Sequence, residues 1–125
     1  MKSVILSIHH EFAEKIYQCT KSFELRKVLP TFEVGTRIYM YETKPVGLIT
    51  GYFTYDGWEY LNPYRLWEKF GSRLGIDEDR LYNYYQSKDV ACAWRIKDPT
   101  KLGTPLSLSS FGLKRAPQSY QIVQI

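Results

Sequence analysis

The sequence predicts a mostly β (α+β) fold, a small β-barrel of five or six strands with flanking helices. Three observations carry it. Short runs with period-two alternation recur along the chain, a glycine falls inside one of them where a barrel strand must bend, and a late alternating run is placed to close the sheet. With 125 residues and 44% apolar composition, the chain reads as one domain, 1–125, able to bury a core without disulfides.

Each element follows from local pattern. Lys2 to Ile8 alternates with Val4, Leu6 and Ile8 on one face. His10 to Gln18 reads as a short helix with Phe12 and Ile16 on its apolar side. Ser22 to Val28 is a strand with Phe23 and Leu25 facing one way and Ser22, Glu24 and Arg26 the other. Pro30 and Gly35 mark a loop. Thr36 to Thr43 opposes Ile38 and Met40 to Tyr39 and Tyr41. Pro45 interrupts, and Val46 to Tyr55 returns with Gly51 where a bulge fits. Asn62 and Pro63 start a helix through Leu66, Trp67 and Phe70 to Gly71. Asp77 caps another, with Leu81, Tyr84 and Tyr85 at helical spacing. Val90 to Ile96 is a strand, Pro99, Gly103 and Pro105 make a loop, and Tyr120 to Ile125 is the closing strand.

Composition narrows the function classes. Seventeen Lys and Arg against thirteen Asp and Glu give +4, a mild basic bias compatible with a polyanion. Cys19 and Cys92 have no CxxC spacing and read as free thiols of a reducing compartment. The apolar run Val4 to Ile8 is too short for a signal peptide or a membrane span, so a cytoplasmic protein with no membrane partner is expected. No GxGxxG, GxxxxGK[ST], nucleophile elbow or HExxH is present, so neither ATP, NAD nor a bound metal is expected and no cofactor is assigned.

The densest polar constellation is Lys21, Glu24 and Arg26. Glu24 and Arg26 lie two apart on a strand and project from one face. Lys21 precedes that strand, where its stem can swing over the same side. A carboxylate between two cations stays ionised and orients the guanidinium for a phosphate, a carboxylate or a base edge. A solvated surface ion pair is the other reading of the same three residues. His9 and His10 are adjacent at a strand end and read as capping or packing residues, although His10 at the helix start could face a cleft. The Tyr82, Tyr84, Tyr85 group reads as core plus surface. Tyr39, Tyr41, Lys44, Tyr52 and Tyr55 interleave aromatic faces with a cation, the combination that single-stranded nucleic acid binding uses, although tyrosine also simply favours strands. Gln118 and Ser119, after Lys114 and Arg115, can hydrogen-bond base edges.

Residues Cys19-Thr20-Lys21-Ser22-Phe23-Glu24-Leu25-Arg26 resemble the GxKxxExR signature of the activating-signal-cointegrator homology (ASCH) domains, relatives of the RNA-binding PUA domain. The flanks "SIHHEFAEKI", "YMYETKPVGLITGYF", "LWEKFG" and "APQSYQIV" extend the likeness over nearly the whole chain. Cys19 stands where the signature has glycine, and a cysteine would be strained there if that position needs positive φ. The resemblance implies a PUA-like barrel with a cleft between barrel and helices. Its expected binding residues are Lys21, Glu24, Arg26, Tyr41, Lys44, Gln118 and Ser119. RNA or single-stranded nucleic acid is the expected partner, or a modified nucleoside, with a regulatory role in transcription or RNA metabolism. Some small relatives hydrolyse N4-acylated cytidine with a Lys, a Thr and a Glu; Glu24 occupies the Thr position, which removes the hydroxyl nucleophile. The binding reading therefore assigns no catalytic residue. An enzymatic alternative, amidohydrolase or ribonuclease, would use Lys21 as base together with Glu24, and a protein-interaction module built on surface aromatics is a third reading.

Overall fold

Alternation decides which way each strand faces, and in this protein it builds two main cores and a third, smaller cluster. The computed structural model describes residues 2–86 and 90–124. In chain order the elements are β1 (Lys2–Ile8), α1 (His10–Tyr17), β2 (Phe23–Arg26), β3 (Arg37–Glu42), β4 (Leu48–Leu61), α2 (Pro63–Phe70), α3 (Glu78–Tyr84), β5 (Ala91–Leu106) and β6 (Tyr120–Gln124). The six strands form one mixed sheet in the order β2-β5-β4-β3-β1-β6. β1 runs parallel to β3, and every other neighbouring pair is antiparallel.

The concave face of the curled sheet holds the first core. Val4, Leu6 and Ile8 of β1 meet Ile38 and Met40 of β3, Phe53 and Tyr55 of β4, and Cys92 and Trp94 of β5, with Ala13 and Ile16 of α1 packed against them. A second core lies under the inserted helices, where Leu66 of α2 and Leu81 of α3 cover Phe23, Leu25, Ala91 and Ala93. Strand β5 serves both, with Cys92 and Trp94 in the first core and Ala91 and Ala93 in the second, and β2 beside it divides its side chains in the same way. Phe23 and Leu25 enter the helical core, while Glu24 pairs opposite Trp94 and Arg26 opposite Cys92, so these two point back over the first core.

Helix starts follow their caps. Asn62 accepts from the Tyr64 amide and Asp77 from the Arg80 amide, each satisfying an otherwise free first-turn N–H. The bulge expected at Gly51 falls one residue earlier. Met40 pairs with Gly51 and Tyr41 with Ile49, leaving Thr50 unpaired. Gly51 has no room for a side chain, because a Cβ there would lie 2.3 Å from the Thr100 carbonyl oxygen and 2.4 Å from the Tyr17 hydroxyl.

Three expectations are corrected. The loop read from Pro99, Gly103 and Pro105 is strand, since β5 continues to Leu106. Beyond Arg95 that strand has no β2 residue beside it, and its pairing with β4 slips between Tyr52 and Thr54 and between Ile49 and Gly51. An open edge with bulges is where proline fits into a sheet. β4 likewise runs past Tyr55 to Leu61. Finally, the barrel-like sheet does not close. β6 pairs with β1 and ends the sheet, leaving a seam between β1/β6 and β2. Ile125, expected at the end of the last strand, lies outside the described residues. Among the described residues, no helix is long and apolar enough to cross a membrane.

Candidate functional site

The seam is spanned by one side chain. Arg26 donates from Nη2 to the Ser7 carbonyl of β1 at 3.2 Å and from Nη1 to the Ser119 hydroxyl, just before β6, at 2.8 Å. Its Nε and Nη2 also reach the same Glu24 oxygen, Oε2, at 2.8 and 2.6 Å. A planar guanidinium with five donors can satisfy three directions at once, which a lysine cannot. Glu24 is only 5% exposed, and Arg26 is the cation paired with it. Arg26 also lies 5.8 Å above the Trp94 ring.

Lys21 approaches from the other side. It is 4% exposed, and its ammonium donates to the Leu74 carbonyl at 2.8 Å. Burial lowers its pKa from 10.5 to about 8; Glu24 pulls the value back up and Arg26 pushes it further down. Gly75, at φ +70°, makes this possible: a Cβ there would sit 2.7 Å from three carbons of the Lys21 stem. Cys19 has φ 62°, so the position where the ASCH signature carries glycine is left-handed here too, with a cysteine in it.

These groups lie in the wall of a cavity of about 630 Å³ between the barrel seam and the helical insert. Its lining includes Lys21, Glu24, Arg26 and Gln118, together with His9, Phe12 of α1, Thr43, and Arg80, Asn83 and Tyr84 of α3. The Phe12 ring has Lys21 and Arg80 within 5.2 and 5.3 Å of its centroid. Arg80 forms two bonds to Glu11, at 2.8 and 3.3 Å, tying the insert to α1. The Tyr84 hydroxyl donates to the Leu25 carbonyl, and burial raises its pKa.

The cavity gathers Lys21, Glu24, Arg26 and Gln118, and Ser119 joins them through Arg26. It does not gather Tyr41 or Lys44. Tyr41 is buried with Ile5, Ile49 and Val123 in a third apolar cluster, and Lys44 lies exposed in the turn after β3. Tyr39 and Tyr52 stack with Arg37 instead, and Tyr55 is core. Sequence reasoning missed Arg80, Asn83 and Gly75, assigned Tyr84 only to packing, and offered His10 to the cleft where the structure places His9. Arg80, Asn83 and Tyr84 sit at i, i+3 and i+4, so one helix face carries all three, and that spacing was the available signal.

A mixed, barrel-like sheet with a helical insert over an open seam defines a PUA-like domain. The sequence model of the ASCH domain matches residues 6–102, and the chain belongs to the ASCH domain family. An ASCH domain-containing ribonuclease of Zymomonas mobilis is 26% identical over 122 residues, covering 94% of this chain and 82% of that protein. The crystal structure of ASCH from Zymomonas mobilis superposes with a TM-score of 0.88 at 23% identity, covering 98% of this chain and 87% of that one. A Ureaplasma parvum protein named ATP synthase subunit alpha is 26% identical over 120 residues, but the chain spans only 15% of its length.

Proposed function

We propose that this chain is an RNA-binding domain whose cavity holds one nucleotide of a single strand with its base inward. The observation that carries this reading is the convergence of buried Lys21 and Glu24 with Arg26 in the wall of one cavity. Arg26 is already committed to Glu24, Ser7 and Ser119, so the trio suits a polar, nearly neutral heterocycle better than a phosphate. Glu24 keeps Oε1 for an exocyclic amine of the base. Phe12 and Tyr84 supply ring surfaces, while Arg80, Asn83 and Gln118 lie where phosphate and base edges would pass. The Zymomonas relative named as a ribonuclease supports an RNA ligand. A regulatory place in transcription or RNA metabolism is the cellular counterpart of this reading.

Titration of a labelled single-stranded RNA at several salt concentrations tests it. Each phosphate neutralised by a cation around the cavity adds about −0.7 to the slope of log affinity against log salt. Arg26→Lys and Glu24→Gln should each weaken binding about tenfold or more, a charge-assisted bond being worth roughly 1.5–3 kcal/mol. Unchanged affinity in both would move the site elsewhere. Hydrolysis of N4-acylated cytidine is a second reading, favoured by the lowered pKa of Lys21. It faces a carboxylate where a hydroxyl nucleophile is needed, and turnover of that nucleoside that vanishes in Lys21→Ala would establish it.

A further inference from the structure

We propose that His9 is the proton donor of a general acid–base cleavage of RNA in this cavity, with Lys21 as the proton acceptor. The inference rests on the reading that RNA occupies the cavity. Two histidines stand side by side in the sequence, and the structure gives them different surroundings. His10 is claimed by carboxylates, with Nδ1 2.5 Å from Glu42 and Nε2 3.3 Å from Glu14. No described carboxylate lies within ion-pair distance of His9. Its Nδ1 is 3.2 Å from the Thr43 hydroxyl, and both residues line the cavity. A hydroxyl that holds one ring nitrogen fixes the imidazole and leaves Nε2 free to exchange a proton.

His9 also has no capping duty to perform. It occupies the N-cap position of α1 with extended backbone, but its side chain makes no cap bond. Its ring lies 6.4 Å from the Phe12 ring, and Phe12 lies 5.2 Å from the Lys21 nitrogen, so acid and base flank one aromatic wall. At the pKa of about 8 that burial gives it, an appreciable fraction of Lys21 is the neutral amine near physiological pH.

The step balances with groups at hand. The Lys21 amine takes the proton of a ribose 2′-hydroxyl as that oxygen bonds to the adjacent phosphorus. The bond from phosphorus to the 5′-oxygen breaks, its electron pair stays on that oxygen, and His9 supplies the proton. The products are a 2′,3′-cyclic phosphate and a 5′-hydroxyl. Lys21 ends as ammonium and His9 as neutral imidazole, and solvent restores both.

A DNA oligonucleotide with a single ribonucleotide tests this under single-turnover conditions in the presence of a chelator. A second oligonucleotide carries sulfur in place of the 5′-bridging oxygen, a leaving group that needs no acid. His9→Asn is the informative variant, because asparagine is a favoured N-cap and keeps α1 intact. The wild type should yield the cyclic phosphate from both substrates. His9→Asn should cleave the oxygen linkage at least 100-fold more slowly and the sulfur linkage at close to the wild-type rate. Its affinity for the all-deoxy analogue of that oligonucleotide should be unchanged. Equal defects on both linkages, or none on either, would overturn the proposal. If the wild type binds single-stranded RNA tightly yet leaves it intact, the inference falls and the binding reading stands; if it binds no RNA, both fall.

Discussion

At the scale of single residues, Lys21 sets stability against chemistry. An amine that is 4% exposed, with its pKa lowered to about 8, binds its proton less tightly in the folded than in the unfolded chain. Folding stability therefore rises with pH between about 8 and 10.5, as the folded state sheds that proton first. Lys21→Met should add on the order of 3 kcal/mol at pH 7, and the gain should vanish as pH climbs through that window. Urea denaturation at pH 7 and pH 10 measures both. His10 has the opposite sign. Its hydrogen bond and charge attraction to Glu42 raise its pKa above 6.5, with Glu14 adding to the rise, against the opposing effects of desolvation and, smaller, of Lys101. The stabilisation is complete below about pH 6.5 and is lost as pH rises through the raised value. Glu42→Gln should return the His10 titration, followed by NMR, towards 6.5. Of the site residues, Lys21, Glu24 and Arg26 were legible because strand parity alone puts two of them on one face. Tyr41 was not, because parity does not say which face of a curled sheet is buried, and a third cluster lies beneath it.

At the scale of elements, the turn between α2 and α3 positions Lys21 in the cavity wall. Leu74 supplies the carbonyl for Lys21, and the Gly75 carbonyl accepts from Lys15 at 3.0 Å. Gly75→Ala should cost about 1–2 kcal/mol from its left-handed backbone alone and should displace the Lys21 stem as well. Gly103→Ala is the matched control, since nothing lies within 4 Å of a Cβ there. The first substitution should lower both urea midpoint and RNA affinity, and the second neither. Strand and helix identities were readable from alternation, caps and breakers, as β1, β3, α1, α2 and α3 attest. What misled was punctuation without context: Pro99 and Pro105 look like loop residues until the neighbouring strand is known to stop short, leaving β5 an unpaired edge. The length of a partner strand is a tertiary fact that local pattern does not carry.

For the whole molecule, β4 and β5 run through both the barrel core and the helical core, and side-chain ties fasten the halves further. Arg80 to Glu11 and Lys15 to Gly75 fasten the insert to α1, while the hydrogen-bonded series from His10 through Glu42 and Thr50 to Tyr17 fastens α1 to the barrel. A ligand that touches both halves therefore adds to what holds them together, which is also why the site's outline was less legible than its three charged residues. The mixed strand order, with its parallel β1–β3 pair, appears in no local pattern of the sequence. The gap that Arg26 bridges has a topological corollary. A closed ring of strands admits a polymer only by its end, whereas a slot along the flank accepts an internal stretch laid in sideways. Competition between a linear RNA and its circularised form of the same sequence should accordingly give equal affinities; a strong preference for the linear form would mean that a free terminus is what the protein grips.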